Sequence, residues 1–177
     1  MAFICVMAGF EAYPQSQGSA VDSGALIREN TKNAVFMMRK LCSAEMAFQE
    51  GSEDSEFGTA IELYSYSLID TELAAALGCS QITSAKGKTC EGTHTPYLGY
   101  LYRLDVLSSA PSEIAKFKIV GVPAIAKGEM KSGTCTYYVD QTYVIRASDD
   151  PEIEANDQSP PLGTPWAPAS CEWRNNM

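Results

Sequence analysis

A chain of 177 residues, 45% apolar and 20% charged, has the composition of one globular domain with room for a tail, which excludes a disordered or fibrous repeat chain. Thirteen basic against twenty-two acidic residues leave a net charge of -9, the wrong sign for neutralising phosphates, so no nucleic-acid partner is expected. The longest apolar run, about nine residues from Ala2 to Phe10, is far shorter than the roughly 20 that span a bilayer.

Residues 1–29 read as an N-terminal segment and linker. Residues 2–10 resemble a short leader, and Gly18-Ser19-Ala20 supplies small residues for a cleavage site, but no basic residue precedes Arg28. Three readings stand side by side: a start further upstream, an exchanged hydrophobic leader, or residues that pack on the domain. Tyr13 to Gly24, rich in Ser, Gln and Gly, reads as linker.

From Asn30 the residues Ala34, Met37, Met38, Leu41, Ala44 and Phe48 recur at three- and four-residue steps, with Lys32, Arg39, Lys40 and Ser43 opposite, which predicts an amphipathic helix ending at Gly51. A Met stripe at this spacing reads as core packing. Thr59 and Glu62 have the spacing of a capping box, and Asp70 offers a second N-cap before a short run ended by Gly78.

Beyond Pro96 the period changes to two. Tyr100, Tyr102, Leu104 and Val106 alternate with Leu101, Arg103, Asp105 and Leu107, predicting a strand. Lys116 to Ile125 predicts another, with Pro123 marking an edge or a strand end. Thr134 to Asp140 and Tyr143 to Ala147 predict two short strands joined by Gln141-Thr142. From Asp149 onward the acidic, Pro-rich tail reads as loop.

Six cysteines without a Cys-x-x-Cys pair point to disulfides in an oxidising compartment rather than to structural zinc. Cys79 and Cys90 are expected to close a polar local loop around Gly87. Cys42, Cys135 and Cys171 remain candidates with open pairing, Cys42 being either a buried thiol or a bridge anchor, and Cys5 drops out if the N-terminus is cleaved.

The segment Asn33-Ala-Val-Phe-Met-Met-Arg-Lys-Leu-Cys-Ser-Ala-Glu-Met-Ala-Phe48, and Tyr137-Tyr-Val-Asp-Gln-Thr-Tyr-Val-Ile-Arg146 followed by an acidic loop and Ser159-Pro-Pro-Leu162, resemble the headgroup of the type IV pilin and type II secretion pseudopilin family. The resemblance spans roughly residues 30–163, leaving 164–177 as a C-terminal tail. It implies an α+β fold, an N-terminal helix packed on a three- or four-stranded antiparallel sheet and held by disulfides. At the position of Tyr143 relatives commonly carry a glycine of positive φ, and a tyrosine there leaves the turn type open. The family's processed Gly-Phe-Thr-Leu-Ile-Glu start is absent, and Gly9-Phe10-Glu11 is not followed by an apolar run. Membrane attachment is implied only through that missing N-terminal helix.

Catalysis finds little support. His94 lies four residues after Cys90 on a Thr- and Gly-flanked loop, and Cys79, Cys90 and His94 make an irregular three-ligand set for zinc. No Gly-x-Ser-x-Gly elbow and no phosphate-cradling loop occurs. No cofactor is expected, except that some pseudopilins bind calcium in the C-terminal loop, which marks Asp149, Asp150, Glu152 and Asp157 as a weaker Ca2+ candidate beside a plain solvated turn. The expected function is a non-enzymatic structural subunit at the cell surface, outside the cell or in the periplasm, partnering itself or other pilin-like subunits. Trp166, Trp173 and Tyr137 are the expected contact residues. The alternative is a secreted or periplasmic binding module with a ligand or glycan platform of Tyr97, Tyr100, Tyr102, Tyr137 and Tyr138.

Overall fold

An uninterrupted run without Gly or Pro from Ala25 to Glu50 builds the first element of the computed structural model, which describes residues 22–79, 92–107 and 115–172. Helix α1 (Ser23–Gly51) begins well before the Asn30 expected from periodicity, because Asp22 caps it: its Oδ1 accepts the Gly24 amide at 2.9 Å. At 1.5 Å per residue its 29 residues measure about 43 Å. The first two turns are mostly exposed, and burial starts at Asn30.

Ala34, Met37, Met38, Leu41 and Ala44 of α1 are buried as the three- and four-residue spacing requires, while Phe48 is half-buried. The buried face is not purely apolar, since Asn30, Thr31 and Glu45 lie within it.

The connection carries α2 (Ala60–Ser65) and α3 (Thr71–Ala76). Glu62 Oε2 accepts the Thr59 amide at 2.8 Å and the Thr59 hydroxyl at 2.6 Å, the expected capping-box partner. Asp70 Oδ1 accepts the Leu73 amide at 2.9 Å, and Lys40 of α1 reaches the other oxygen of the same carboxylate. The Lys40 hydrogen bond holds the Asp70 carboxyl below its usual range. Gly78, at φ +82°, ends α3: its amide bonds Ala75 O and the Cys79 amide bonds Ala74 O, a Schellman pair that only a left-handed residue completes.

Four strands follow, β1 (Tyr100–Leu107), β2 (Lys116–Pro123), β3 (Thr136–Asp140) and β4 (Arg146–Ser148), in the antiparallel order β1-β2-β3-β4. The fold is therefore α+β, with the α1 stripe on one face of a four-stranded meander. Pro123 closes β2 at its end, not at a sheet edge, since β2 pairs on both sides. The register lines up Tyr102, Gly121, Tyr137 and Ala147 in one row across the sheet, alternating large and small. Gly121 leaves room for Met38, whose sulfur would lie 3.4 Å from any Cβ added there. Ile119, Val139 and Phe117 complete the core under the helix. Burial of this surface at about 25 cal/mol per Å2 is the main stabilising term.

The β3 to β4 connection is longer than Gln141-Thr142. Tyr143 takes φ +58° and donates its amide to Asp140 O at 2.8 Å, a type I turn followed by a left-handed residue, which delays β4 to Arg146. Tyr143 tolerates that conformation because its ring packs on Phe117 at 5.7 Å and its hydroxyl donates to Gln49 Oε1 at 3.3 Å. The outer edge of β4 is covered by the tail: the Ala147 amide bonds Pro160 O, and the Leu162 amide bonds Ile145 O. Cys135 and Cys171 form a disulfide across 36 residues, tying the tail to the start of β3. Among the described residues no helix is long and apolar enough to cross a membrane.

Candidate functional site

Four cysteines of the expected set are bridged or free in definite ways. Cys135 pairs with Cys171, and Cys79 is disulfide-bonded, while Cys90 and Cys5 lie outside the described residues. Cys42 is no bridge anchor: it is a free buried thiol, pushed up to about 11 by burial and by the nearby Glu45. A disulfide sulfur is no thiolate ligand, so Cys79 leaves the irregular zinc set. His94 Nδ1 lies 2.7 Å from Tyr102 O, which occupies that nitrogen with backbone. The bridged cysteines fit an oxidising, extracellular or periplasmic setting.

The acidic loop is held to the sheet by hydrogen bonds and ion pairs. Thr136 Oγ1 donates to Ile153 O at 2.7 Å and accepts the Ala155 amide at 2.9 Å, which pins the loop backbone beside β3. Glu152 pairs with Lys127 at 2.6 Å, and Glu154 takes both Arg103 guanidinium nitrogens at 3.1 and 3.0 Å. Asp150 Oδ1 accepts the Glu152 amide at 3.0 Å, and Asp149, Asp150 and Asp157 are all exposed. These four carboxylates are not drawn together, and among the described residues no group of three or more His, Cys, Asp or Glu is placed to hold a metal ion.

Tyr137 is no contact residue. It is fully buried, and its hydroxyl donates to Cys171 O at 3.3 Å. Tyr100 and Tyr102 are likewise buried under α1, with Tyr100 5.8 Å from the Tyr137 ring. Burial pushes all three phenols up, Tyr100 to about 12. The period-two alternation that identifies the strand also places these rings on one face, and that face meets the helix. A stacking platform built from them has no open side. Trp173 lies outside the described residues, while Trp166 is 79% exposed.

Two accessible hollows lie along α1. Lys32, Val35, Phe36 and Arg39 on the helix, with Leu162, Gly163 and Glu172 of the tail, enclose a hollow of about 420 Å3 in which Phe36 is 59% exposed. Its tail wall is fixed by the Cys171 bridge and by the Gly163 amide, which donates to Glu172 Oε1 at 2.9 Å. A second hollow of about 470 Å3 lies at the helix C-terminus between Ala47, Phe48, Gly51, Glu53, Tyr66 and Leu68. There the Phe48 and Tyr66 rings meet edge to face at 5.6 Å, and Tyr66 is 70% exposed.

Two buried polar side chains anchor α1 to the rest of the protein. Asn30 Nδ2 donates to Ser132 O at 2.8 Å and fits against Gly99, where an added Cβ would collide with the amide at 2.4 Å. Glu45 is wholly buried; its Oε2 accepts the Gly58 amide at 2.9 Å and its Oε1 has no hydrogen-bond partner. Burial pushes its carboxyl up to about 8 despite the Gly58 bond. Sequence reasoning omits Glu45 because a carboxylate argues for the surface, although its position four residues after Leu41 continues the buried stripe. Phe36 escapes for the opposite reason, being apolar and exposed.

Compared with known proteins, the chain matches no family model, no curated protein and no solved structure.

Proposed function

We propose that this chain is a non-enzymatic structural subunit of an extracellular or periplasmic pilin-like filament or secretion pseudopilus, working at the cell surface through assembly and adhesion contacts. The observation that carries the reading is the distribution of aromatic side chains. Tyr100, Tyr102 and Tyr137, three of the five tyrosines of a ligand platform, are buried and Tyr97 and Tyr138 half-buried, whereas Phe36, Tyr66 and Trp166 stand exposed around a disulfide-tied tail and a long helix. Exposed aromatics framed by a rigid scaffold are what contact between subunits requires. The partners are further copies of the chain or other pilin-like subunits.

Shearing native cells and sedimenting the released material tests this, with antibody labelling of the pellet in electron microscopy. Labelled filaments are expected. Recovery of the protein solely as a monomer in the periplasm or medium, from cells that bear no labelled filament, overturns the reading.

A further inference from the structure

The two hollows along α1 differ in charge as well as in place. Around Phe36 the lining carries Lys32 and Arg39 against one carboxylate, Glu172; Lys32 pairs with Glu29 at 3.9 Å, and Arg39 is exposed and makes no ion pair among the described residues. Around Tyr66 the rim carries Glu53 beside Glu50, both exposed and likewise outside any ion pair among the described residues. Each hollow joins apolar wall to an exposed ring, so each offers what the other lacks in sign and matches it in character. They are centred about a dozen residues apart on the helix, a rise of roughly 20 Å.

We infer that the basic hollow at Phe36 docks the acidic hollow at Tyr66 of a second copy of this chain. The contact pairs unlike hollows: it closes as a two-fold dimer where both pairs form between the same two copies, and continues head to tail where each hollow takes a different partner. The occupant is argued from charge complementarity, in a chain whose net charge of -9 otherwise sets copies against each other. Placing Arg39 against Glu53 and Glu50 in a partly dehydrated hollow gives orientation as well as attraction. The inference takes its setting from the filament reading and names the surface through which the heads would meet.

The test uses purified full chain with a photoreactive benzophenone amino acid in place of Phe36. Irradiation at low salt is expected to give multimers whose cross-linked peptide lies within residues 47–68 of the second copy. The yield should fall about tenfold at high salt, in Arg39→Glu, and in the double variant Glu50→Lys, Glu53→Lys. Mixing the two variants should restore it, because every hollow of one then faces the opposite charge on the other. Melting curves matching the parent establish that each variant is folded. Cross-linking to the Phe36 hollow of the second copy, a yield indifferent to charge, or no recovery on mixing overturns the proposal. Filaments that persist in cells carrying the charge-reversed chains overturn this interface and leave the filament reading standing. Bare cells, with the mixed variants still cross-linking, overturn the filament reading alone.

Discussion

The two halves of α1 are anchored to the rest of the protein in opposite chemical styles. In the first, Asn30 reaches across to Ser132 with a neutral amide, Ala34 is buried in the core and Met38 fills the space beside Gly121. In the second, Glu45 holds the incoming loop at Gly58 with a carboxyl that has one oxygen bonded and one bare. The first anchor carries no titratable group, so proton concentration does not touch it. The second is stable only while Glu45 keeps its proton, which makes one end of the same helix sensitive to pH and the other indifferent.

Leu41 lies between the halves, fully buried, and Leu41→Asp should break both at once. An unpaired carboxylate in this core costs on the order of 5 kcal/mol or more, comparable to the whole stability of a domain. The expected outcome is loss of the cooperative transition in circular dichroism, and a soluble variant that still melts cooperatively would refute the placement of Leu41.

Glu45→Gln sharpens the contrast. The folded carboxyl titrates near 8, above its ordinary 4.5, so the folded state binds the proton more tightly. Its contribution is complete below about 4.5 and is lost as pH rises through about 8, a decline on the order of a few kcal/mol. Cys42 and Tyr143, two titratable groups near Glu45, are themselves pushed up, and the Glu62 carboxylate adds to the upward push on Glu45. Denaturant melts between pH 5 and 9 should fall steadily for the parent and lie flatter for Glu45→Gln, in which an amide oxygen still accepts the Gly58 bond. Equal slopes in the two proteins would rule out this assignment.

At the other end Asn30→Ala should cost about 1–3 kcal/mol by stranding Ser132 O, with the same loss at every pH. A pH-dependent loss there would erase the distinction between the halves. Smallest is Asp70→Ala, which removes the α3 cap and the Lys40 partner and should cost about 1 kcal/mol, read as a modest shift in denaturation midpoint.

Where side-chain period and burial coincide, the fold is legible from residues alone. Ala34 to Ala44 and the alternation of Tyr100, Tyr102, Phe117 and Ile119 are buried as their spacing requires. The helix start is not, because Ser23 to Glu29 bury little and so leave no period to read. Strand β4 is shortened by a left-handed Tyr143 that the surrounding contacts, Phe117 and Gln49, make tolerable. The hollows are least legible of all: the one at Phe36 joins helix to tail, and no local pattern near Val35 signals that Leu162 will become its far wall.

Gly121 works as a spacer gauge for the whole molecule. A methyl group there would just touch Met38 Sδ and Tyr102 Cε1, both at 3.4 Å, and any larger side chain must wedge the two layers apart. Because Phe36 stands two residues before Met38 on the same rigid rod, a wedge beneath the helix re-aims the exposed ring above it. The missing side chain in the middle of the sheet thereby sets the pointing accuracy of the outer surface, at a position no binding partner ever touches.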